Sequence, residues 1–370
     1  ATRIAADKLL SVIRTIHSKR YATGLMPNKV QPMTDDNTHA IAVIGAGSWG
    51  TALAIQFASE GTNACLWGME PEVIEALTKD RINHRFLPKI QVPDDLRING
   101  NLEEIIRTHR NILMVVPSHV FRLVLEQIKP WLQNDARVAW ATKGFELSTG
   151  KLAHEVAEEV LGHDVPLAVV SGPTFATEVG KGLPTAMTVA ATDDSFASDL
   201  AHMFSSKTFK AYTSDDIIGV EVGGAIKNVL AIATGISDGL GYGANTRVAL
   251  ITRGLLELSR LGVALGGKEE TFMGLSGMGD LVLTCTDNQS RNRRMGLALA
   301  SGKTVEETSK EIGQVVEGVK AAKAVHDVAE KLDVQMPISE QVYQMLYEGV
   351  SMEDAVEALM TRPLGDEFDD

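Results

Sequence analysis

Ala40-Ile41-Ala42-Val43-Ile44-Gly45-Ala46-Gly47-Ser48-Trp49-Gly50 is an apolar run that ends in a complete G-x-G-x-x-G, and Thr51–Ser59 continues it as a helical run. A strand that turns through such glycines into a helix is the setting in which the motif has a physical meaning. Gly45 permits the tight turn, Gly47 lets backbone approach a pyrophosphate, and Gly50 lets the helix pack closely on the strand. The helix N-terminus offers N–H donors and positive potential to phosphates. The stretch therefore predicts dinucleotide binding.

Outward from this stretch the pattern repeats. Ala64–Trp67, Asn111–Val116, Arg137–Ala141 and Leu167–Val170 read as strands, with helices at Glu72–Thr78, Phe121–Ile128 and Lys151–Leu161 between them. Nearly all-apolar strands alternating with helices predict a parallel sheet covered on both faces, and right-handed crossovers make it doubly wound. After about Thr213 strand-like runs stop. Helical runs follow at Asp216–Ile236, Asn245–Leu261, Thr304–Ile312, Gly318–Lys331 and Ser339–Glu348. The predicted organisation is a basic extension over 1–39, a dinucleotide-binding domain over 40–213, a helical substrate and catalytic domain over 214–362, and an acidic tail over 363–370.

The 370 residues carry a net charge of −13, and six Lys/Arg against three acids in the first 39 residues leave the remainder at −16. So acidic a body disfavours a nucleic-acid partner, and an anionic small ligand needs locally placed cations. No apolar run approaches the roughly 18 residues of a membrane span, so stable membrane insertion is not expected. Cys65 and Cys285 support neither a disulfide scaffold nor a zinc site, no metal is expected, and a cytoplasmic, reducing setting is the simplest. In the extension, Ile4, Leu9, Leu10, Val12, Ile13 and Ile16 alternate with basic residues. This pattern fits an amphipathic targeting or membrane-surface helix, or a weakly structured extension.

Active sites in such sheets lie at the carboxyl ends of strands. Three distinctive loops stand there: Pro117-Ser118-His119, Thr142-Lys143-Gly144 and Ser171-Gly172-Pro173-Thr174-Phe175-Ala176. Between Glu221 and Asp238 the single charged residue is Lys227, inside Gly223-Gly224-Ala225-Ile226-Lys227-Asn228-Val229. A helix this apolar is buried nearly all round. A lysine inside it needs a partner or a task unless it snorkels at the flank, and desolvation lowers its pKa toward the range of proton transfer. Gly224, Ala231 and Thr234 share its face and leave room for a ligand. Asp280 lies in a glycine-rich turn, and Ser290-Arg291-Asn292-Arg293-Arg294 is a basic cluster suited either to a solvated face or to phosphate.

Taken together, the chain from Ala40 to about Glu348 resembles the bacterial-type NAD(P)-dependent glycerol-3-phosphate dehydrogenases. The resemblance rests on the glycine loop, Val116–His119, Ala141–Gly144, Ser171–Ala176, Gly223–Val229, Gly279–Leu281, Asp287–Arg294 and Gly313-Gln314-Val315-Val316-Glu317-Gly318. It implies a Rossmann-type doubly wound parallel sheet plus an all-α C-terminal substrate domain of the 6-phosphogluconate-dehydrogenase-like kind. The activity it implies is interconversion of dihydroxyacetone phosphate and sn-glycerol 3-phosphate with NAD or NADP, for phospholipid synthesis, by a homodimer. By the same likeness Lys227 is the proton donor and acceptor. Lys143, Gly172, Thr174, Asn228, Asp280, Ser290, Arg291 and Asn292 meet the substrate. Gly45, Gly47, Ser48, Trp49, Gly50, Lys143, Ala176, Arg291, Val315 and Glu317 meet the cofactor. Met69 stands where relatives often carry His or Arg, and Glu70 falls beyond the expected strand end, so the choice between NAD and NADP stays open. A β-hydroxyacid dehydrogenase of the same architecture, or a protein that senses the dinucleotide without turnover, are the competing readings.

Overall fold

The computed structural model describes Ala40–Pro363, all within one compact unit. Along the chain the elements of the first half are β1 (Ile41–Ile44), α1 (Ser48–Ser59), β2 (Ala64–Trp67), α2 (Pro71–Lys79), β3 (Ile82–Asn83), β4 (Leu87–Gln91), β5 (Arg97–Ile98), α3 (Leu102–Thr108), β6 (Asn111–Met114), α4 (Ser118–Ile128), β7 (Arg137–Trp140), α5 (Ala153–Leu161), β8 (Leu167–Ser171), α6 (Ala176–Gly180), β9 (Thr185–Ala191), α7 (Asp194–Phe204) and β10 (Phe209–Ser214). Eight of the strands form one sheet in the order β10-β9-β8-β7-β6-β1-β2-β5, and β3 and β4 pair as a separate hairpin.

Strand β1 is buried throughout and runs parallel to β2 on one side and β6 on the other. Its side chains alternate between two cores: Ile41 and Val43 join the cluster on one face, Ala42 and Ile44 the cluster on the other. The chain builds outward from β1 through β2 to β5, then returns to its other side at β6. The glycine loop thus sits at the point where strand order reverses, the crevice that binds ligands in such sheets. The turn is tight enough that a Cβ on Gly45, which has φ of 123°, would stand 2.3 Å from the Val115 carbonyl oxygen.

The five strands read from the sequence, β1, β2, β6, β7 and β8, are parallel as expected, and the sheet continues into strands that reading did not include. The sheet is mixed, because β9 runs antiparallel to β8, and β10 then pairs parallel with β9. The link from β8 to β9 carries only the five-residue α6. Parallel neighbours are joined by a crossover, usually a full helix packed on the sheet, and none stands between β8 and β9.

The second half is helical: α8 (Ile217–Gly239), α9 (Ala244–Ala264), α10 (Glu269–Phe272), a π-helical turn at Leu275–Gly279, α11 (Asp280–Thr286), α12 (Arg291–Ala300), α13 (Val305–Ile312), α14 (Glu317–Leu332), α15 (Pro337–Tyr347) and α16 (Met352–Met360). Asp216 caps α8 by accepting from the Gly219 N–H at 2.8 Å. Every residue of α8 from Gly219 to Ser237 is buried. By length and composition this helix is apolar enough to cross a membrane, contrary to the sequence expectation, and here it forms the core of the helical half. Helix α12 crosses it at backbone distance. A Cβ on Gly235 would lie 2.2 Å from the Arg293 carbonyl oxygen, and one on Gly296 would lie 2.2 Å from that of Ile232.

Candidate active site

Lys227 emerges from the middle of α8, and its pairing is what the sequence could not show. The residue is 6% exposed. Its Nζ donates to Asp280 Oδ1 and, at 3.0 Å, to Thr284 Oγ1. Asp280 and Thr284 stand one turn apart on α11, and the Thr284 hydroxyl donates back to the Asp280 carbonyl at 2.6 Å. The second carboxylate oxygen, Oδ2, accepts from Lys143 Nζ at 2.6 Å. Asp280, read from the sequence as part of a glycine-rich turn, is thus the first residue of a helix and the shared partner of two ammonium groups.

The electrostatics follow from burial. Desolvation pulls the Lys227 pKa down to about 8; the Asp280 carboxylate opposes this and the nearby Lys143 charge adds to it. Burial works to raise Asp280, but Lys143 and Lys227 outweigh it and hold the carboxyl below its ordinary range. At neutral pH the three groups carry one net positive charge. The space attributed above to Gly224 is filled by protein: a Cβ there would lie 3.3 Å from Lys143 Cγ and Cδ and from Ser171 Oγ. Gly224 makes way for the Lys143 side chain.

These groups open into a cleft of about 310 Å³ between the sheet and the helical half. Among the sequence-predicted residues, Ser48, Trp49, Lys143, Thr174, Ala176, Lys227, Asn228, Ser290, Arg291, Asn292 and Glu317 line it. Gly45, Gly47 and Gly50 lie in and beside the turn that starts α1, and Asp280 sits behind the two lysines. Gly172 is held against β9, where a Cβ would come 2.8 Å from Met187 Cα, and Val315 is 45% exposed; neither is part of the cleft wall.

Ser290 caps α12 by accepting from the Arg293 N–H, which leaves Arg291 at the first helical position, facing the cleft. Asn292 spends its side chain on the protein: Nδ2 donates to Asn228 Oδ1 at 2.8 Å, and Oδ1 accepts from the Gly318 N–H at 2.9 Å at the start of α14. Arg293 belongs neither to a solvated face nor to a ligand grip. Its guanidinium is buried on Asp238 Oδ2 at 2.5 Å, Asn288 Oδ1 and the Cys285 carbonyl. Arg294 does reach the cleft.

Sequence reasoning missed several residues of the site. Phe86, Phe175, Thr177, Thr284, Gln289 and Gln314 also line the cleft. Thr284 was legible as the residue four positions after Asp280, the spacing that shares a helix face. Gln314 bridges the halves, its Oε1 accepting from Ser48 Oγ at 3.2 Å and Arg291 Nη1 at 3.3 Å; nothing local in the sequence marks that role.

The cleft fits a dinucleotide. The first turn of α1 has no acidic residue and no side-chain cap, so its N–H groups face outward unspent, and the position of a Cβ on Gly47 meets nothing within 4 Å. Ser48, Trp49, Ala176, Arg291 and Glu317 would hold the group, and Gly45 and Gly50 shape the turn beneath it. Among the described residues no cluster of His, Cys, Asp or Glu is placed to hold a metal ion.

Comparison with known proteins gives the family. The N-terminal family model of the NAD-dependent glycerol-3-phosphate dehydrogenases matches residues 40–197 and the C-terminal one matches 216–357. A glycerol-3-phosphate dehydrogenase [NAD(P)+] of Tolumonas auensis is 55% identical over 328 residues, covering 88% of this chain and 98% of that protein. One from Shewanella halifaxensis is 57% identical over 327 residues, with 88% and 96% covered. The crystal structure of a glycerol-3-phosphate dehydrogenase from Coxiella burnetii superposes with a TM-score of 0.85 at 46% identity, over 88% of this chain and 100% of that one. With both family models in chain order and relatives matched end to end at this identity, the chain belongs to the NAD(P)-dependent glycerol-3-phosphate dehydrogenases.

Proposed function

We propose that this chain reduces dihydroxyacetone phosphate to sn-glycerol 3-phosphate, reversibly, and that the product supplies the backbone of phospholipids. The observation that carries the reading is the Lys143–Asp280–Lys227 cluster facing the cleft between the glycine turn and Arg291. When bound, the nicotinamide dinucleotide supplies the hydride. Lys227 holds the proton for the carbonyl oxygen, and its pKa near 8 keeps it charged but labile at neutral pH. The net positive charge of the cluster offsets negative charge growing on that oxygen in a site where burial strengthens the effect. Once Lys227 has given up its proton, Asp280 keeps its charge through Lys143, so the cluster becomes neutral without a buried carboxylate left unpaired.

Arg291 grips the substrate phosphate in this reading, with the Ser290-capped N-terminus of α12 beside it. That remote contact orients the ketone against the reacting groups. The reading sets the chain in the cytoplasm, and the buried free thiols of Cys65 and Cys285 fit a reducing compartment. A homodimer belongs to the same reading; light scattering tests it.

The experiment is to add dihydroxyacetone phosphate with NADH or NADPH and follow the loss of reduced-nicotinamide absorbance. Turnover of a β-ketoacid in its place, or dinucleotide binding with no turnover of either ketone, would sink the reading in favour of its competitors.

A further inference from the structure

Glu221 is a buried acid that the chemistry above does not use. It lies six residues before Lys227 on α8, about 240° around the helix from it, so its side chain leaves on another face. Oε1 accepts from Trp140 Nε1 at 2.8 Å and from the His154 backbone N–H at 3.0 Å, and Oε2 pairs with His154 Nδ1 at 2.5 Å. Trp140 is the last residue of β7, is fully buried, and packs edge to face on Phe121. His154 lies in the first turn of α5. Both partners belong to the sheet half, while Glu221 belongs to the helical half.

The place of Trp140 in the chain gives this contact its meaning. Three residues beyond it stands Lys143, and six residues beyond Glu221 stands Lys227. The segment Trp140–Lys143 and the segment Glu221–Lys227 therefore meet at both ends, directly at Glu221–Trp140 and through Asp280 at the two ammonium groups. Sliding α8 along β7 would break both junctions together. Burial opposes the charges on Glu221 and His154. On His154 the carboxylate of Glu221 outweighs that burial, with Glu155 and Glu158 adding to it, and lifts the imidazole above its ordinary range. A buried ion pair is a poor source of stability compared with apolar packing of the same shape, and its best-attested use is to fix a register.

We propose that Glu221 is a positioning residue: by binding Trp140 and His154 it holds the helix that carries Lys227 in register with the loop that carries Lys143, so that both ammonium groups meet on Asp280. The inference rests on the reading of Lys227 as proton donor.

The test uses the full chain and three variants, Trp140→Phe, Glu221→Leu and Glu221→Gln. Two readouts are taken: kcat for ketone reduction against pH, and the titration of Lys227 followed through the Cε resonances of ¹³C-lysine-labelled protein. The groups facing Lys227 are Asp280, Lys143, Thr284 and the Cys285 thiol, which burial keeps neutral, and the charge of Lys143 is one that lowers its pKa. Loosening the loop therefore raises the Lys227 titration and carries the alkaline limb of kcat upward with it. Trp140→Phe and Glu221→Leu are expected to show that rise and a kcat lower by about 10- to 100-fold, the penalty for misplacing reacting groups by about an ångström. Glu221→Gln keeps an acceptor for Trp140 and recovers most of the loss. A Trp140→Phe protein with the parental melting transition, parental kcat and unmoved titration overturns the proposal; so does a lower melting temperature with neither readout moved. Should Glu221→Leu fail to fold, Trp140→Phe decides alone. If the parent reduces no ketone yet the titration moves as expected, positioning stands and the proton-donor reading falls.

Discussion

Lys143 reaches from the sheet half to the same carboxylate that holds Lys227 and takes its other oxygen, with 2.6 Å between Lys143 Nζ and Asp280 Oδ2. A proton donor that shares its counter-ion with a second cation is easier to deprotonate than one with an acid to itself. The first predictions test that arrangement.

Replacing Lys227 by Met removes the proposed proton donor while keeping an unbranched apolar stem in α8. The expected loss in kcat is about 10²- to 10⁴-fold, the usual span for a general acid, with dinucleotide affinity unchanged by fluorescence titration. Turnover within a few-fold of the parent would show that another group supplies the proton.

The pH profile has a definite sign. Lys227 titrates near 8 in the fold. In the proposed reaction ketone reduction needs its protonated form, so kcat falls as pH rises through about 8, whereas alcohol oxidation needs the neutral form and rises over the same interval. Asp280→Asn removes the charge that opposes the depression and shifts both limbs to lower pH; Lys143→Met shifts them higher. Initial rates in both directions from pH 6 to 10 check this.

Arg291→Ala is expected to lower kcat/KM for dihydroxyacetone phosphate by about 10- to 100-fold, as for losing a hydrogen bond to a charged group. Dihydroxyacetone, which has no phosphate, should lose far less. Lys at 291 restores part of the loss, because an ammonium lacks the planar fork of donors. Equal losses for the two ketones would assign Arg291 to the dinucleotide or the fold and move the phosphate grip to Arg294.

Glu257 does not line the cleft and tests the fold itself. Burial lifts its pKa to about 7 against the N–H groups of Ile338 and Ser339 and the Ser339 hydroxyl, from which it accepts. An acid whose pKa is higher folded than unfolded contributes most below its unfolded value, and that contribution is lost as pH rises through the folded one. Between about pH 4.5 and 7 the parent should therefore lose stability relative to Glu257→Gln, on the order of 3 kcal/mol. Denaturant melts at pH 5 and pH 8 measure the difference; a constant gap between the two proteins would refute it.

Local chemistry made part of this molecule readable from its sequence. The glycine turn, the alternation of strands and helices and the odd lysine of α8 are patterns within a few residues, and the structure places each of them as such. What stayed hidden depends on partners distant in sequence. Asp238 lies 55 residues from Arg293, so the basic cluster could not show that one of its arginines is spent on the interior. Lys227 looked unpaired because Asp280 is 53 residues away. The reversal of β9 comes after a link whose short helix carried no periodic signal. The basic extension over 1–39 lies outside the described residues.

Helices α8 and α12 meet glycine against backbone, at Gly235 and Gly296. Long side chains at a crossing can change rotamer and let helices slide, whereas touching backbones leave almost no compliance. Lys227 rides on one of these helices and Arg291 on the other. In the proposed reaction they address the two ends of the substrate, its carbonyl and its phosphate. The crossing then acts as a ruler built entirely within the helical half, set before any closure of the cleft. It fixes how many carbons can stand between a reducible carbonyl and an anionic group. Widening the sheet side of the cleft would admit bulkier molecules, but a longer sugar phosphate would still place its carbonyl out of reach of the proton.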